Sequence, residues 1–89
     1  MGYEEKIKQA LEAGNVIIGT KQVMKNIKNG KVEYVLYAQN CPAEIKTDLL
    51  RNAKIANVQV EEFNGTGKQL GIFMAKAFPV AVVGVKKSS

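Results

Sequence analysis

The sequence predicts an α/β protein, a three-layer α/β/α sandwich around a four-stranded mixed sheet. Short runs of β-branched and aromatic residues alternate with amphipathic segments of helical period. The order is one helix, then strand and helix three times, then a closing strand, and helices that connect strands in this way cover both faces of a sheet. With 89 residues, 46% of them hydrophobic and 24% charged, the chain has the size and composition of a single domain over residues 1–89.

The first half of the chain contains two predicted helices and two predicted strands. Residues 3–12 place acidic residues early and apolar residues at helical spacing, and residues 16–18 form a β-branched run. A second helix follows, with Thr20 expected as its N-cap and Gly30 at its end. Residues 32–38 are almost continuously apolar, which predicts a central strand buried on both faces.

The second half repeats the alternation. A helix is predicted over residues 43–56, a strand over 58–63 and a closing strand over 80–85. Residues 66–69 read Thr-Gly-Lys-Gln, which predicts a capping box at the start of the last helix. Residues 86–89 are expected to fray. The side chains expected to face the core from the helix over 43–56 are Ile45, Leu49, Leu50 and Ala53.

The predicted second helix separates its charged surface from its apolar surface. Lys21, Lys25 and Lys28 follow i, i+4, i+7 spacing and share one face, and the opposite face is apolar. No Asp or Glu occurs between residues 13 and 32. Because the unpaired N–H groups and the dipole at a helix N-terminus favour an anion, a phosphate backbone would fit both the helix start and the lysine face. The alternative is an amphipathic helix whose lysines are simply solvated.

Composition excludes several classes of function. The net charge of +5 and the isoelectric point near 9.4 favour a polyanionic partner, either nucleic acid or an anionic membrane surface. The absence of His and the single Cys exclude a Ser-His-Asp triad, His ligation of a metal and a Cys-rich zinc site. We therefore expect no catalytic residue, no metal and no cofactor. The lack of a signal peptide and of an apolar run of about 20 residues favours a cytoplasmic protein without a membrane partner.

Two loops carry further candidate contacts. Asn40 follows the second predicted strand, and its amide has donors and an acceptor suited to a base edge. Phe78 precedes the last strand, where an exposed ring could stack on an unpaired RNA base. The alternative for Phe78 is a residue that caps the core. The glycines at 65, 67 and 71 do not form a dinucleotide fingerprint, because the third glycine comes one residue late.

Three segments together resemble the large-subunit ribosomal protein 30e family of archaea and eukaryotes. They are residues 19–25, 40–42 and 65–71, which occur in the order and at the separations of that family. The resemblance covers nearly the whole chain and implies an α/β/α sandwich of the kink-turn RNA-binding superfamily. Related proteins of box C/D guide complexes have Asn-Glu where this chain has Lys21 and Gln22, and this difference favours the ribosomal branch.

The resemblance implies one RNA-binding domain with a contact surface made of three parts. At the start of the second helix, the residues that would enter the groove at the kink are Gly19, Thr20, Lys21, Gln22 and Lys25. Asn40 would contact the RNA from the side. Phe78, Pro79 and Val80 would pack on an extruded nucleotide, although Pro79 is not a residue that the family pattern requires. We add Lys28 as a phosphate contact from its helical spacing alone.

The expected function is therefore structural. The protein would stabilise a kink-turn-like RNA element in the large ribosomal subunit, bound to ribosomes in the cytoplasm and monomeric when free. Two alternatives remain open at this point. One is a kink-turn-binding protein outside the ribosome, in a guide-RNA particle or alone, and the other is a small protein-interaction module of the same fold. An enzyme is the least expected, because the acid–base machinery is missing.

Overall fold

The computed structural model describes residues 3–87 of the chain, except for the side chains of residues 3 and 4. Helices and strands follow one another in the predicted order. The elements are α1 (Tyr3–Ala13), β1 (Val16–Ile18), α2 (Thr20–Lys28), β2 (Val32–Tyr37), α3 (Ala43–Ala56), β3 (Gln59–Glu62), α4 (Gly67–Phe73) and β4 (Val82–Lys86).

The four strands form one mixed sheet in the order β1-β4-β2-β3, which confirms the predicted fold class. β2 and β3 are parallel, whereas β4 runs antiparallel to both β1 and β2. Tyr37 is opposite Val82 on β4 and Glu62 on β3, and Ile18 is opposite Val83. The last residues of β1, β2 and β3 therefore lie at one end of the sheet together with the first residues of β4. We call this the upper end, and the opposite one the lower end.

The central strand β2 is buried on both faces as predicted, except at the exposed Glu33, whereas the edge strand β3 is largely exposed. Tyr34 and Leu36 point into a core with residues of α1 and α4, and Val35 and Tyr37 point into a second core with residues of α2 and α3. Side chains alternate between the faces of a strand, so a strand covered on both sides must be apolar throughout. This arrangement gives three layers, with α1 and α4 on one side and α2 and α3 on the other.

The start of α2 differs from the prediction. The N-cap is Gly19, with φ 110° and ψ 139°, and it makes no side-chain cap hydrogen bond, so the expectation of a Thr20 cap was wrong. Glycine adopts positive φ without steric cost, and this turn leads the chain from β1 into the helix one residue earlier than expected. Thr20 is instead the first helical residue. The capping box between Thr66 and Gln69 is confirmed.

Three further expectations were wrong. Leu50 is 42% exposed, because Leu49 and Ala53 define the buried side of α3 and Leu50 lies about 100° from Leu49 around the helix. β4 begins at Val82, two residues later than predicted. Lys86 belongs to β4, and Lys87 also makes a backbone hydrogen bond, so neither frays as expected. Residues 88 and 89, for which fraying was also predicted, lie outside the described residues.

Candidate nucleic-acid interface

The start of α2 and the loop before β4 are joined at the upper end of the sheet. The backbone N–H of Gly19 donates to the carbonyl oxygen of Val82 at 3.2 Å. Beside this pair, the N–H of Ala38 donates to the carbonyl oxygen of Ala81 at 2.8 Å. The loop after β2 therefore lies next to the same segment. These bonds bring together the start of α2, the loop after β2 and the residues that lead from the Phe78 loop into β4.

Asn40 connects this group of loops to α4. Its side-chain Oδ1 accepts a hydrogen bond from the backbone N–H of Gly67 at 2.9 Å, and the neighbouring Gln39 N–H donates to the carbonyl oxygen of Gly65 at 2.8 Å. Because Gly67 is the first residue of α4, the Asn40 oxygen satisfies one of the N–H groups left unpaired at the helix start. The acceptor of the Asn40 amide is thus occupied within the protein, and its Nδ2 group is the part left to contact a ligand.

The three residues of the Phe78 loop have different environments. Phe78 is 55% exposed and Pro79 is also exposed, so Phe78 does not cap the core. Val80 is 2% exposed, its side chain lies in the core with Leu70, and its N–H donates to the carbonyl oxygen of Gly67 at 2.9 Å. The expectation that the Val80 side chain packs on a nucleotide was therefore wrong. Val80 fixes the loop, and Phe78 and Pro79 form its outer surface.

An open groove lies between Phe78 and α4. Its volume is about 270 Å³, and it is bordered by Ile72, which is 67% exposed. Lys68 and Lys76 also line it. The sequence analysis did not identify these three residues as part of the site, although the spacing of four between Lys68 and Ile72 places them on one helical face. The groove is therefore lined by apolar side chains and by two lysine side chains.

Gly71 allows the Phe78 loop to lie against α4. A Cβ atom at position 71 would collide with the carbonyl oxygen of Phe78. The backbone of the loop therefore passes over the helix at a place where only glycine fits, since every other residue carries a Cβ atom. This close approach holds the backbone of Phe78 against α4.

The first turn of α2 presents unpaired N–H groups at the upper end. Its first intrahelical hydrogen bond runs from Val23 N–H to the carbonyl oxygen of Gly19 at 3.0 Å, so the N–H groups of Thr20, Lys21 and Gln22 have no intrahelical acceptor. No acidic residue occupies the first turn. Both features favour an anion at this position.

The lysines of α2 carry uncompensated charge. Lys21, Lys25 and Lys28 are all exposed, and within residues 3–87 none of them forms an ion pair. From Lys21 to Lys28 the helix axis rises by about 10 Å, at 1.5 Å per residue. Lys21 therefore lies at the upper end, next to Gly19, and Lys28 lies toward the lower end.

The acidic residues and the single Cys are the remaining candidates for metal binding or nucleophilic chemistry. No cluster of three or more Cys, Asp or Glu residues is placed to hold a metal ion within the part of the chain that the structure describes. Burial raises the pKa of the Cys41 thiol above its ordinary value, and the nearby Lys46 ammonium opposes this rise. The thiol is therefore not activated as a nucleophile. No helix within residues 3–87 has the length and apolar character needed to cross a bilayer.

Comparison with known proteins identifies relatives over the whole chain. The model of the ribosomal protein L7Ae/L30e/S12e/Gadd45 family matches residues 1–89. Large ribosomal subunit protein eL30 of Sulfurisphaera tokodaii is 37% identical over 84 residues, which cover 94% of this chain and 79% of that protein. The eL30 protein of Methanopyrus kandleri is 39% identical over 82 residues, which cover 92% and 75% respectively.

Solved structures share the fold. A protein of unknown function from Bacillus halodurans superposes with a TM-score of 0.85 at 25% identity and covers 98% of this chain and 86% of its own. The 15.5 kD RNA-binding protein of Giardia lamblia gives the same TM-score at 22% identity, covers 97% and 72%, and shows the fold alone. Because the family model spans the chain and the eL30 proteins exceed 30% identity over most of their length, the chain belongs to the ribosomal protein L7Ae/L30e/S12e/Gadd45 family and, within it, to the L30e members, as the resemblance predicted.

Proposed function

We propose that this protein is a structural RNA-binding protein of the large ribosomal subunit, which recognises and stabilises a kink-turn-like element of ribosomal RNA. The convergence of the α2 start, the Asn40 loop and the Phe78 loop at the upper end of the sheet carries this proposal. The eL30 proteins to which the chain is similar are named as large-subunit proteins, which supports the ribosomal assignment. The proposed role is not enzymatic.

The start of α2 supplies the contact with the RNA backbone. A phosphate accepts hydrogen bonds from the free N–H groups of Thr20, Lys21 and Gln22, and the glycine at position 19 lets the backbone approach closely. Lys21 and Lys25 neutralise neighbouring phosphates, and Lys28 contacts a phosphate farther along the RNA strand. Since each neutralised phosphate releases counterions, binding depends steeply on salt.

Discrimination comes from side chains that reach the bases. A kinked element exposes unstacked bases and base edges that a regular A-form helix hides in its deep major groove. The Gln22 amide and the Nδ2 group of Asn40 contact base edges, and an extruded base stacks on Phe78 and Pro79. The groove beside Phe78 supports this arrangement because Ile72 adds apolar surface, and Lys68 and Lys76 can neutralise the phosphates of the same nucleotide.

Residues 1–89 act as one RNA-binding domain, bound to ribosomes in the cytoplasm and monomeric when free. A second candidate function is the recognition of the same kind of RNA outside the ribosome, in a guide-RNA particle or alone. The eL30 relatives disfavour that alternative, and the uncompensated charge at the upper end disfavours a module that binds only proteins.

A gel-shift titration tests recognition of the kink. The protein is titrated into a kink-turn RNA and into the same RNA with its G·A pairs replaced, so that length and charge are identical. We expect the kink-turn RNA to bind at least about tenfold more tightly, because base and shape contacts add to the shared phosphate term. Equal affinity for the two RNAs would contradict the proposal and favour a protein-interaction module.

Co-sedimentation tests the ribosomal assignment. Protein bound to large subunits is washed with high salt and centrifuged, with free ribosomal RNA lacking the kinked element as the control. Retention on the subunits is expected, because base contacts and stacking persist when phosphate contacts are screened. Complete release at a salt concentration that leaves the kink-turn complex intact would indicate a role outside the ribosome.

A further inference from the structure

Three lysines lie at the lower end of the sheet, about one strand length from the start of α2, and the first of them follows Lys28 by three residues. Lys86 is paired with Val32 between β4 and β2. The backbone N–H of Lys87 donates to the carbonyl oxygen of Lys31 at 2.9 Å, which continues the same antiparallel register and sets Lys31 opposite Lys87. All three lysines are exposed. We call Lys31, Lys86 and Lys87 the far lysines.

This arrangement places the like charges of Lys31 and Lys87 opposite each other on one face, whereas the side chain of Lys86 points to the other face. Residues directly opposite on antiparallel strands have Cβ atoms roughly 5 Å apart, and like charges at such positions are destabilising. None of the far lysines forms an ion pair within residues 3–87. Among the described residues, Glu12 and Glu33 are exposed carboxylates near this end; neither forms an ion pair within residues 3–87, and Glu33 lines an open cavity together with Lys86.

The far lysines are not placed where they would stabilise the negative end of a helix dipole. Lys54, in the last turn of α3, lies where it compensates the negative end of that helix. The far lysines instead lie on strand ends and on the turn before β2. Their charge is left for a partner, and that partner must be an anion.

The partner is a separate one from the element bound at the upper end. β2 has six residues and therefore spans roughly 20 Å, more than twice the Debye length of about 8 Å at physiological salt. Phosphates bound at the start of α2 leave the charge of the far lysines unscreened. Among the exposed large apolar side chains that the structure describes, the only aromatic one is Phe78, at the upper end. The lower end thus offers charge without a stacking surface, which suits the phosphate backbone of a duplex.

We propose that the far lysines bind the phosphate backbone of a second RNA duplex while the upper end holds the kinked element, so that the protein joins two RNA segments. This inference rests on the proposed function. It assigns to the protein a bridging role in addition to the stabilisation of one kink.

The test is a titration of the preformed complex. The protein is saturated with a minimal kink-turn RNA, and a labelled, unkinked RNA duplex is added while its anisotropy is followed at about 50 and 200 mM salt. For wild type we expect binding that weakens steeply with salt. In the variant Lys31→Gln/Lys87→Gln the salt slope falls by nearly two, so that wild type loses roughly tenfold more affinity for the duplex than the variant does over this range.

A matched control variant distinguishes the effect of removing the far lysines from the effect of lowering the net charge of the protein. The variant Lys8→Gln/Arg51→Gln removes the same charge from exposed sites on α1 and α3, and its slope should stay within about half a unit of wild type. The affinity of Lys31→Gln/Lys87→Gln for the kink-turn RNA alone should stay within about twofold of wild type, since neither residue is among the proposed kink contacts and both lie roughly 20 Å from the phosphates at the start of α2.

Several outcomes would overturn the inference. They are equal losses in the two double variants, no duplex binding by the saturated wild-type complex, and equal weakening of kink-turn binding by Lys31→Gln/Lys87→Gln. Binding to phosphatidylserine vesicles that depends on Lys31 and Lys87, without duplex binding, would assign the far lysines to a membrane surface instead. Failure of the proposed function would give a different result. In the gel-shift titration, the wild-type protein would bind the kinked RNA and the G·A-disrupted RNA with equal affinity.

Discussion

At the scale of single residues, Asn40 is proposed to combine a structural and a binding role in one side chain. Its Oδ1 accepts from Gly67 N–H, and its Nδ2 is the group proposed to contact RNA. Asn40→Ala leaves the Gly67 donor unpaired and should cost about 1 kcal/mol of unfolding free energy as well as RNA affinity. Asn40→Asp keeps the acceptor but replaces the donor with a negative charge. Urea denaturation should show that this variant retains most of the stability of wild type. RNA titration should show that it binds RNA more weakly than wild type does, because the donor has been replaced by a negative charge.

The two Asn40 variants separate the roles only if the acceptor is what stabilises the loop. A loss of stability in Asn40→Asp as large as that in Asn40→Ala would remove the Gly67 hydrogen bond as the reason. Wild-type RNA affinity in Asn40→Asp would exclude Asn40 from the interface.

Phe78 gives the clearest prediction about stacking. Phe78→Ala should reduce the free energy of RNA binding by about 1–3 kcal/mol if the ring stacks on a base. Because the side chain is 55% exposed, its unfolding free energy should change far less than the 3–5 kcal/mol typical of a buried Phe. Ile55→Ala, at an 80% exposed site on α3, is the control and should leave RNA binding unchanged. A core-sized loss of stability with normal binding by the folded fraction would exclude stacking.

At the scale of elements, α2 is expected to determine the salt dependence of binding. Lys21→Ala and Lys25→Ala should each lower the slope of log affinity against log salt by about one unit, because each lysine neutralises one phosphate. Lys8→Ala, on the exposed surface of α1, removes the same charge and should leave the slope nearly unchanged. The slopes are measured by RNA titration at several salt concentrations, and a lysine whose removal does not change the slope lies outside the interface.

Structural features that are determined by residues close together in the sequence were predictable. The capping box at Thr66 and Gln69 is fixed within four residues, and the apolar period of each helix recurs within a few turns. The α2 cap was mispredicted because the conformation of Gly19 decides it. Gly19 has a positive φ, and its N–H donates to Val82, a residue far along the chain.

At the scale of the whole molecule, the order of the strands was not predictable from local patterns. β4 inserts between β1 and β2, and this pairing decides which loops meet. The burial of Val80, the hydrogen bond between Asn40 and Gly67, and the ordering of Lys87 against Lys31 all depend on long-range contacts. The helical spacing of the α2 lysines and the family resemblance therefore predicted the segments of the proposed site, and the topology decides which of their side chains remain available to a ligand.

The whole molecule is also expected to be insensitive to pH near neutrality. Histidine is the side chain whose unperturbed charge changes between about pH 5 and 8, and the chain contains none. RNA affinity and the urea midpoint should therefore be nearly constant from about pH 6 to 8. A change in affinity of more than about threefold over this range would show that a group with a strongly shifted pKa takes part in binding.

Above about pH 8, Cys41 leads to a prediction of the direction in which stability changes with pH. Burial raises the pKa of its thiol above the ordinary value of 9.0, with Lys46 acting in the opposite direction. The folded state then holds the thiol proton more tightly than the unfolded state does. This contribution to stability is complete below pH 9.0 and is lost as the pH rises toward the folded-state value. In Cys41→Ala the urea midpoint should fall less steeply above pH 9.0 than in wild type under reducing conditions, and parallel curves would contradict the assignment.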